Sequence, residues 1–217
     1  MTYVARRLAG PMLAAAVAAV SVGAGAVLSP SPAAAQSARD AQAEAFVTAQ
    51  SQRALGILSN RSLSQAQKAQ QFRTFIDQVA DVRRITDFVL GKYRRTITPA
   101  QYSQFAPVFR AYASSVYETR LDEYKGERFR VTGSTVRRPG DVVVSSVVSG
   151  GQVSQPRTVQ WRVIRDNGGQ WRVVDVQVAG VWLAITQQQD FVATIDNAGG
   201  NVNVLINQLR AQTARRG

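Results

Sequence analysis

The sequence predicts an α+β domain in which helices come first, an antiparallel sheet follows, and helices close the chain. Two observations predict it. Apolar residues recur three or four apart from residue 38 to Gly126, then two apart from Arg128 to Val178. Glycine-rich turns divide the second stretch at short intervals, as in a meander of hairpins. A second change of period after Val178 returns the chain to helix.

The elements follow in order. Ala43, Phe46, Val47, Ala54, Leu55 and Leu58 make one helical stripe over 38–58. Asn60-Arg61-Ser62 is a turn, and Ser64 caps a second helix carrying Phe72, Phe75, Ile76 and Val79. Asp81 caps a third, with Ile85, Phe88 and Val89 on one side and Gly91 near its end. Thr98-Pro99 opens a fourth helix, with threonine as cap and proline at the first helical position. Its stripe runs Tyr102, Phe105, Phe109, Tyr112, Val116, Tyr117, Leu121 and Tyr124. Pro107 either kinks this helix or starts a new one. Four strands are then expected over 128–136, 142–148, 158–165 and 170–178. The tight hairpin Asp166-Asn167-Gly168-Gly169 joins the last two. On the fourth strand, Trp171 and Val173 share one face, and Val174, Val176 and Val178 the other. Helices over 186–198 and 202–214 complete the chain. A curved four-stranded sheet with helices over its concave face makes a cone able to enclose a pocket.

Before the helices comes an export signal. Arg6 and Arg7 form a charged start, Met12 to Leu28 is apolar or small apart from Ser21, and Ser29-Pro30-Ser31-Pro32 breaks any helix. Ala33-Ala34-Ala35 then supplies the small residues a signal peptidase needs, so cleavage is expected near Ala35. Residues 1–35 are read as signal peptide and 36–217 as one domain working in the periplasm. Cysteine is absent, which excludes disulfides, thiolate metal sites and lipid attachment at the cleavage site.

The formal charge is +12; Arg6 and Arg7 belong to the signal, leaving +10 on the remainder. In an exported chain that charge points to anionic membrane surfaces or acidic partners rather than to nucleic acid. Histidine is absent too, removing the commonest general base and the commonest metal ligand. The acids are scattered, and no phosphate loop or nucleophile elbow occurs. Asp175 alone invites a catalytic reading, as a pocket carboxylate acting as base. The alternative is a solvent-facing acid paired with Arg162.

Three blocks of sequence resemble the MlaC family, the toluene-tolerance auxiliary family of periplasmic lipid carriers. The first is Asp81-Val82-Arg83-Arg84-Ile85-Thr86-Asp87-Phe88-Val89-Leu90-Gly91-Lys92-Tyr93-Arg94-Arg95. The second runs from Gln104-Phe105 through Tyr117 to Gly126. The third is Gly169-Gln170-Trp171-Arg172-Val173-Val174-Asp175-Val176, leading to Gly180-Val181-Trp182-Leu183. The resemblance implies an NTF2-like cone and a carrier without cofactor or catalysis. Such carriers move phospholipid between an outer-membrane lipoprotein complex and an inner-membrane ABC transporter with an Mce-domain subunit. Two features depart from the family. Pro107 stands where members usually carry an ordinary helix residue. Gln187-Gln188 stands where many carry Tyr-Arg, and hopanoid-linked members are more similar there, so hopanoid is an alternative cargo to phospholipid. Face and hydrophobicity give the expected pocket lining as Phe75, Val79, Phe88, Phe105, Phe109, Tyr112, Val131, Val144, Trp161 and Val173. An enzyme using Asp175, and an adaptor that binds only protein, are the competing readings.

Overall fold

The structure, a computed structural model, describes residues 38–118, 125–151 and 153–215. The expected signal peptide and its cleavage point lie outside these residues, as do Leu121 and Tyr124 of the long apolar stripe.

Helix α1 (Ala41–Ser59) starts three residues later than the periodicity predicts, because Asp40 is its cap and accepts the Ala43 N–H at 2.9 Å. The residues before it are held on the sheet instead. Ala38 C=O accepts the Val136 N–H, and Asp40 N–H donates to Ser134 Oγ at 2.8 Å. Helix α2 (Gln65–Val79) has the expected Ser64 cap, completed into a reciprocal box by Gln67. Helix α3 (Val82–Val89) is capped by Asp81 and followed by a 3-10 turn, Gly91–Arg95. Helix α4 (Pro99–Glu118) has a second reciprocal box between Thr98 and Gln101, each contact 3.1 Å. It runs through Pro107 without a break. That residue is exposed, so the helical bond it lacks lies on the solvent side, where water can replace it.

Strands β1 (Glu127–Arg138), β2 (Asp141–Gly150), β3 (Val153–Arg165), β4 (Trp171–Val178) and β5 (Val181–Trp182) form one antiparallel sheet in chain order. The fifth strand is an addition to the four expected. Its pairing rests on only two registered pairs, Gln177 with Trp182 and Val178 with Val181. Strand β3 starts earlier than predicted and includes Pro156. The proline is tolerated because β4 pairs with β3 only as far as Val159, so no neighbour on that side needs the missing N–H. In the β3–β4 hairpin Asp166 Oδ1 accepts the N–H groups of Gly168 and Gln170, both at 2.9 Å, and Gly169 takes the left-handed φ of 75°.

One predicted face assignment is reversed. Arg162 pairs with Asp175 and Val163 with Val173, which leaves Val174 as an extra residue. A bulge flips the parity of everything beyond it. Val176 therefore lies opposite Trp161 and shares the face of Val173. Helices α5 (Leu183–Asn197) and α6 (Val202–Ala214) close the chain.

The buried residues separate into two clusters. In one, α1 and α2 lay Ala43, Val47, Phe75 and Val79 on Val142, Val144, Val163, Trp171 and Val173 of the sheet. The other is drawn from α3 to α6. Phe105, Phe109, Phe191, Ile195, Leu205, Ile206 and Leu209 fill it with Val89, Leu90 and Val202. Strand β4 touches both. Its Val173 carbonyl accepts the Asp81 N–H at the start of α3, and Asp175 holds the start of α5.

Candidate functional site: the uncovered end of an apolar sheet face

Helices α1 and α2 seal only one end of the sheet face they pack on. Along β2, Val142, Val144 and Ser146 are fully buried, but Val148 is half exposed. Along β3 burial falls from Val163 through Trp161 and Val159 to exposed Arg157. Along β4 it falls from Val173 through Val176 to Val178. On β1, Val131 and Phe129 are half buried where Ser134 is buried. The same face thus passes from a packed core to an apolar surface that the described helices leave partly open. Phe129 and Trp161 meet there edge to face, centroids 5.9 Å apart.

This surface is made apolar by internal pairing of its polar atoms. Ser146 is fully buried; its hydroxyl donates to the Val159 carbonyl at 2.8 Å and accepts the Trp161 indole N–H at 3.0 Å. A hydroxyl and an indole N–H that would otherwise require water are satisfied, so an alkyl chain can lie over them without a desolvation cost.

The residues expected to line a pocket divide between the two clusters. Phe75, Val79, Val144 and Val173 are buried in the sheet cluster, with Val131 and Trp161 half buried at its open end. Phe105 and Phe109 are buried in the helical cluster. Their rings are stacked at 5.8 Å, and both meet Phe191 edge-on, with Tyr112 alongside. Phe88 is exposed. The sheet end gains residues the sequence reading omitted. Phe129 was available from the alternation that picks out Val131. Val176 was hidden by the bulge.

A separate groove of about 270 Å³ lies between α1 and α2, lined by Arg53, Ile57, Gln70, Gln71, Thr74, Phe75 and Gln78. Arg53 covers the Phe75 ring at 5.4 Å and donates to Gln78. The volume is below the roughly 300–1,000 Å³ of ordinary ligand pockets, too little for two acyl chains.

Asp175 is not solvent-facing, and Arg162, although opposite it in the register, gives its hydrogen bonds to Asp141. Asp175 is buried, and its Oδ1 accepts the N–H groups of Val176 and Ala184, both at 2.8 Å. Ala184 lies in the first turn of α5, whose own cap position, Trp182, provides no side-chain acceptor. The strand carboxylate therefore caps the helix. Burial pushes its pKa up, partly opposed by the N–H groups of Ala184, Val176 and Ile185 and by the charge of Arg162. Arg162 instead makes a two-pronged pair with Asp141, at 3.0 and 2.8 Å. Asp141 is held below the usual carboxylate range, chiefly by those hydrogen bonds. Among the described residues no group of acids is placed to hold a metal ion, and no helix is long and apolar enough to cross a membrane.

Comparison with known proteins finds both a protein family and solved structures that this chain resembles. The MlaC protein family profile matches residues 48–211. Among solved structures, a phospholipid-binding protein from Ralstonia solanacearum, in complex with a phospholipid, superposes with a TM-score of 0.69 at 26% sequence identity. The match covers 80% of this chain and 98% of that one.

Proposed function

The chain belongs to the MlaC family, and on that premise we propose that it is a carrier that binds phospholipid and shields its acyl chains from water. The observation that carries this reading is the burial gradient on the sheet. Phe129, Val131, Val159, Trp161 and Val176 present a continuous apolar surface whose polar atoms are already paired. The phospholipid bound by the similar Ralstonia solanacearum protein supports the same cargo.

Energetics explain why the surface is needed. Two acyl chains hold about thirty methylenes at roughly 0.8 kcal/mol each, so on the order of 20 kcal/mol is at stake if they cross water bare. We place the chains along the uncovered end of the sheet face, toward β4, where the sheet and helical clusters adjoin. The headgroup stays in water, because burying a phosphate without partners is costly.

The carrier works in the periplasm after cleavage near Ala35, and carries lipid between the outer and inner membranes. Its exchange partners are an outer-membrane lipoprotein complex and an inner-membrane ABC transporter with an Mce-domain subunit. It catalyses no reaction: of the two strand carboxylates buried among the described residues, Asp175 is engaged as a helix cap and Asp141 is paired with Arg162. Phospholipid rather than hopanoid is the cargo proposed. Gln188, part of the departure from Tyr-Arg, donates to the Phe88 carbonyl at 2.6 Å and so serves the packing of α3 on α5.

The test is native mass spectrometry of the exported protein, followed by lipid extraction. One phospholipid per chain is expected. Val131→Asp, which places a charge on the apolar end, is expected to lower lipid content at least about tenfold, the factor that 1.4 kcal/mol supplies. A lipid-free wild type that takes up none from vesicles would overturn the reading.

A further inference from the structure

Phe88, Val178, Val181, Leu183 and Ile185 are 38–48% exposed and lie on adjoining elements: α3, the β4–β5 hairpin and the first turn of α5. Val178 and Val181 face each other across β4 and β5. Leu183 and Ile185 follow directly in the first turn of α5. One α5 turn further on, Gln188 holds the Phe88 carbonyl. Isolated exposed apolar residues are ordinary, but a contiguous group marks an interaction surface.

The hairpin tip is unusual in its turn chemistry. Ala179 and Gly180 both have positive φ, 51° and 83°, the geometry that normally selects Asn-Gly or Asp-Gly. Alanine lacks the side-chain hydrogen bond that lets Asn or Asp tolerate this region. The tip is thus apolar at the position where a polar residue would fit the backbone better. From Val173 to Gln189 the single charged side chain is Asp175, buried and engaged with α5.

The surroundings are cationic. Arg83, Arg84, Lys92, Arg94 and Arg95 occupy α3 and the 3-10 turn, around Phe88 in the chain. Three of them pair with acids: Arg84 with Asp81, Arg94 with Asp87 and Lys92 with Asp196. Two positive charges remain there, on a chain whose formal charge without the two signal arginines is +10. An uncharged apolar tip on a cationic body fits a bilayer carrying anionic headgroups. Apolar side chains enter the boundary between headgroups and acyl chains, where tryptophan such as Trp182 is favoured. The surrounding charge draws the molecule to the surface.

We propose that the β4–β5 hairpin tip, the first turn of α5 and Phe88 form a surface that seats this protein on an anionic bilayer. The purpose of such seating rests on the carrier reading, whereas the surface itself is argued from the exposed residues.

The experiment is co-sedimentation of the exported protein with vesicles of phosphatidylcholine alone or mixed with phosphatidylglycerol. Wild type is expected on the anionic vesicles, with binding weakened at about 0.5 M salt, where screening shortens to several Å. Val181→Asp with Leu183→Asp is expected to lower partitioning at least about tenfold while circular dichroism is unchanged. An acid at the first position of α5 is favoured by the helix dipole, and Val181 lies on an edge strand, so the fold should tolerate both. The milder pair Val181→Thr and Leu183→Gln should give an intermediate loss. Val204→Asp, at an exposed position of α6, should bind as wild type does. A folded double variant that binds vesicles undiminished would overturn the proposal. So would a wild type that ignores every vesicle, including one whose patch a protein partner covers instead. Vesicle binding by a protein that copurifies without phospholipid and takes up none from the vesicles would refute the carrier reading and keep this one.

Discussion

The two hydrophobic clusters are built for different purposes. In the helical cluster, ring meets ring and every large side chain contributes to a sealed interior: Phe105 is fully buried, stacked on Phe109 and met edge-on by Phe191. In the sheet cluster, the same face that is sealed at Val142 and Val163 is half open at Val131 and Trp161. Hydrophobicity is alike in both. The difference is coverage, because α1 and α2 end before the sheet does. A closed cluster stabilises the fold, and an incompletely covered one leaves apolar surface available for a ligand.

This contrast can be broken or sharpened by mutation. The largest effect is expected from Phe105→Ala, which empties the centre of the sealed cluster and should cost about 3–5 kcal/mol. Urea unfolding measures it. Bound lipid per folded molecule should stay at the wild-type level; a parallel loss of lipid would break the distinction between the clusters. Ser146→Ala strands the Trp161 N–H at the junction of sealed and open surface, at about 1–3 kcal/mol. It should also lower lipid content, because an unpaired polar group is then presented to an alkyl chain. Asp175→Ala leaves the Ala184 and Val176 N–H groups without their acceptor, again about 1–3 kcal/mol, whereas Asp175→Asn keeps an oxygen in place and should cost less than 1 kcal/mol. A general base would lose function equally in both, so rescue by asparagine separates cap from base.

The smallest effect is the pH dependence. The Asp175 carboxyl titrates above its unfolded value, so the folded state binds the extra proton. Its contribution to stability therefore rises as pH falls through that raised pKa toward about 4. Wild type should gain on the Asp175→Asn variant over that window. Asp141 behaves oppositely: its lowered pKa gives stability that is present above about 4 and lost as pH falls through the folded value. Thermal melts of wild type, Asp175→Asn and Asp141→Asn across acidic pH would show both slopes. A flat difference curve for Asp175→Asn would remove burial as the cause of its shift.

Much of the fold was legible in the chain. Ser64, Asp81 and Thr98 cap the helices they were expected to cap, and the Asp166–Gly169 turn closes the hairpin where glycine allows it. The site was less legible. Val131, Val144, Trp161 and Val173 share one face of the sheet. Val176 was placed on the wrong face, since nothing in a run of valines announces that Val174 will be skipped by the register. The aromatic residues of α4 looked as suitable for a pocket as those of the sheet, because periodicity records which side of a helix is apolar and not what covers it.

What the sequence determined alone is what closes within a few residues: helix starts, turn positions, the change from period three-or-four to period two. Each depends on hydrogen bonds or side-chain spacing inside one turn or hairpin. Only the tertiary structure decided the start of α5, because its acceptor comes from Asp175 on β4, and the path of the residues that lead into α1, because Ala38 and Asp40 are held by β1. It likewise decided that Phe105 lies sealed and Trp161 partly open. These outcomes depend on which distant groups arrive to pair or to cover, and that information exists only once the sheet and helices have met.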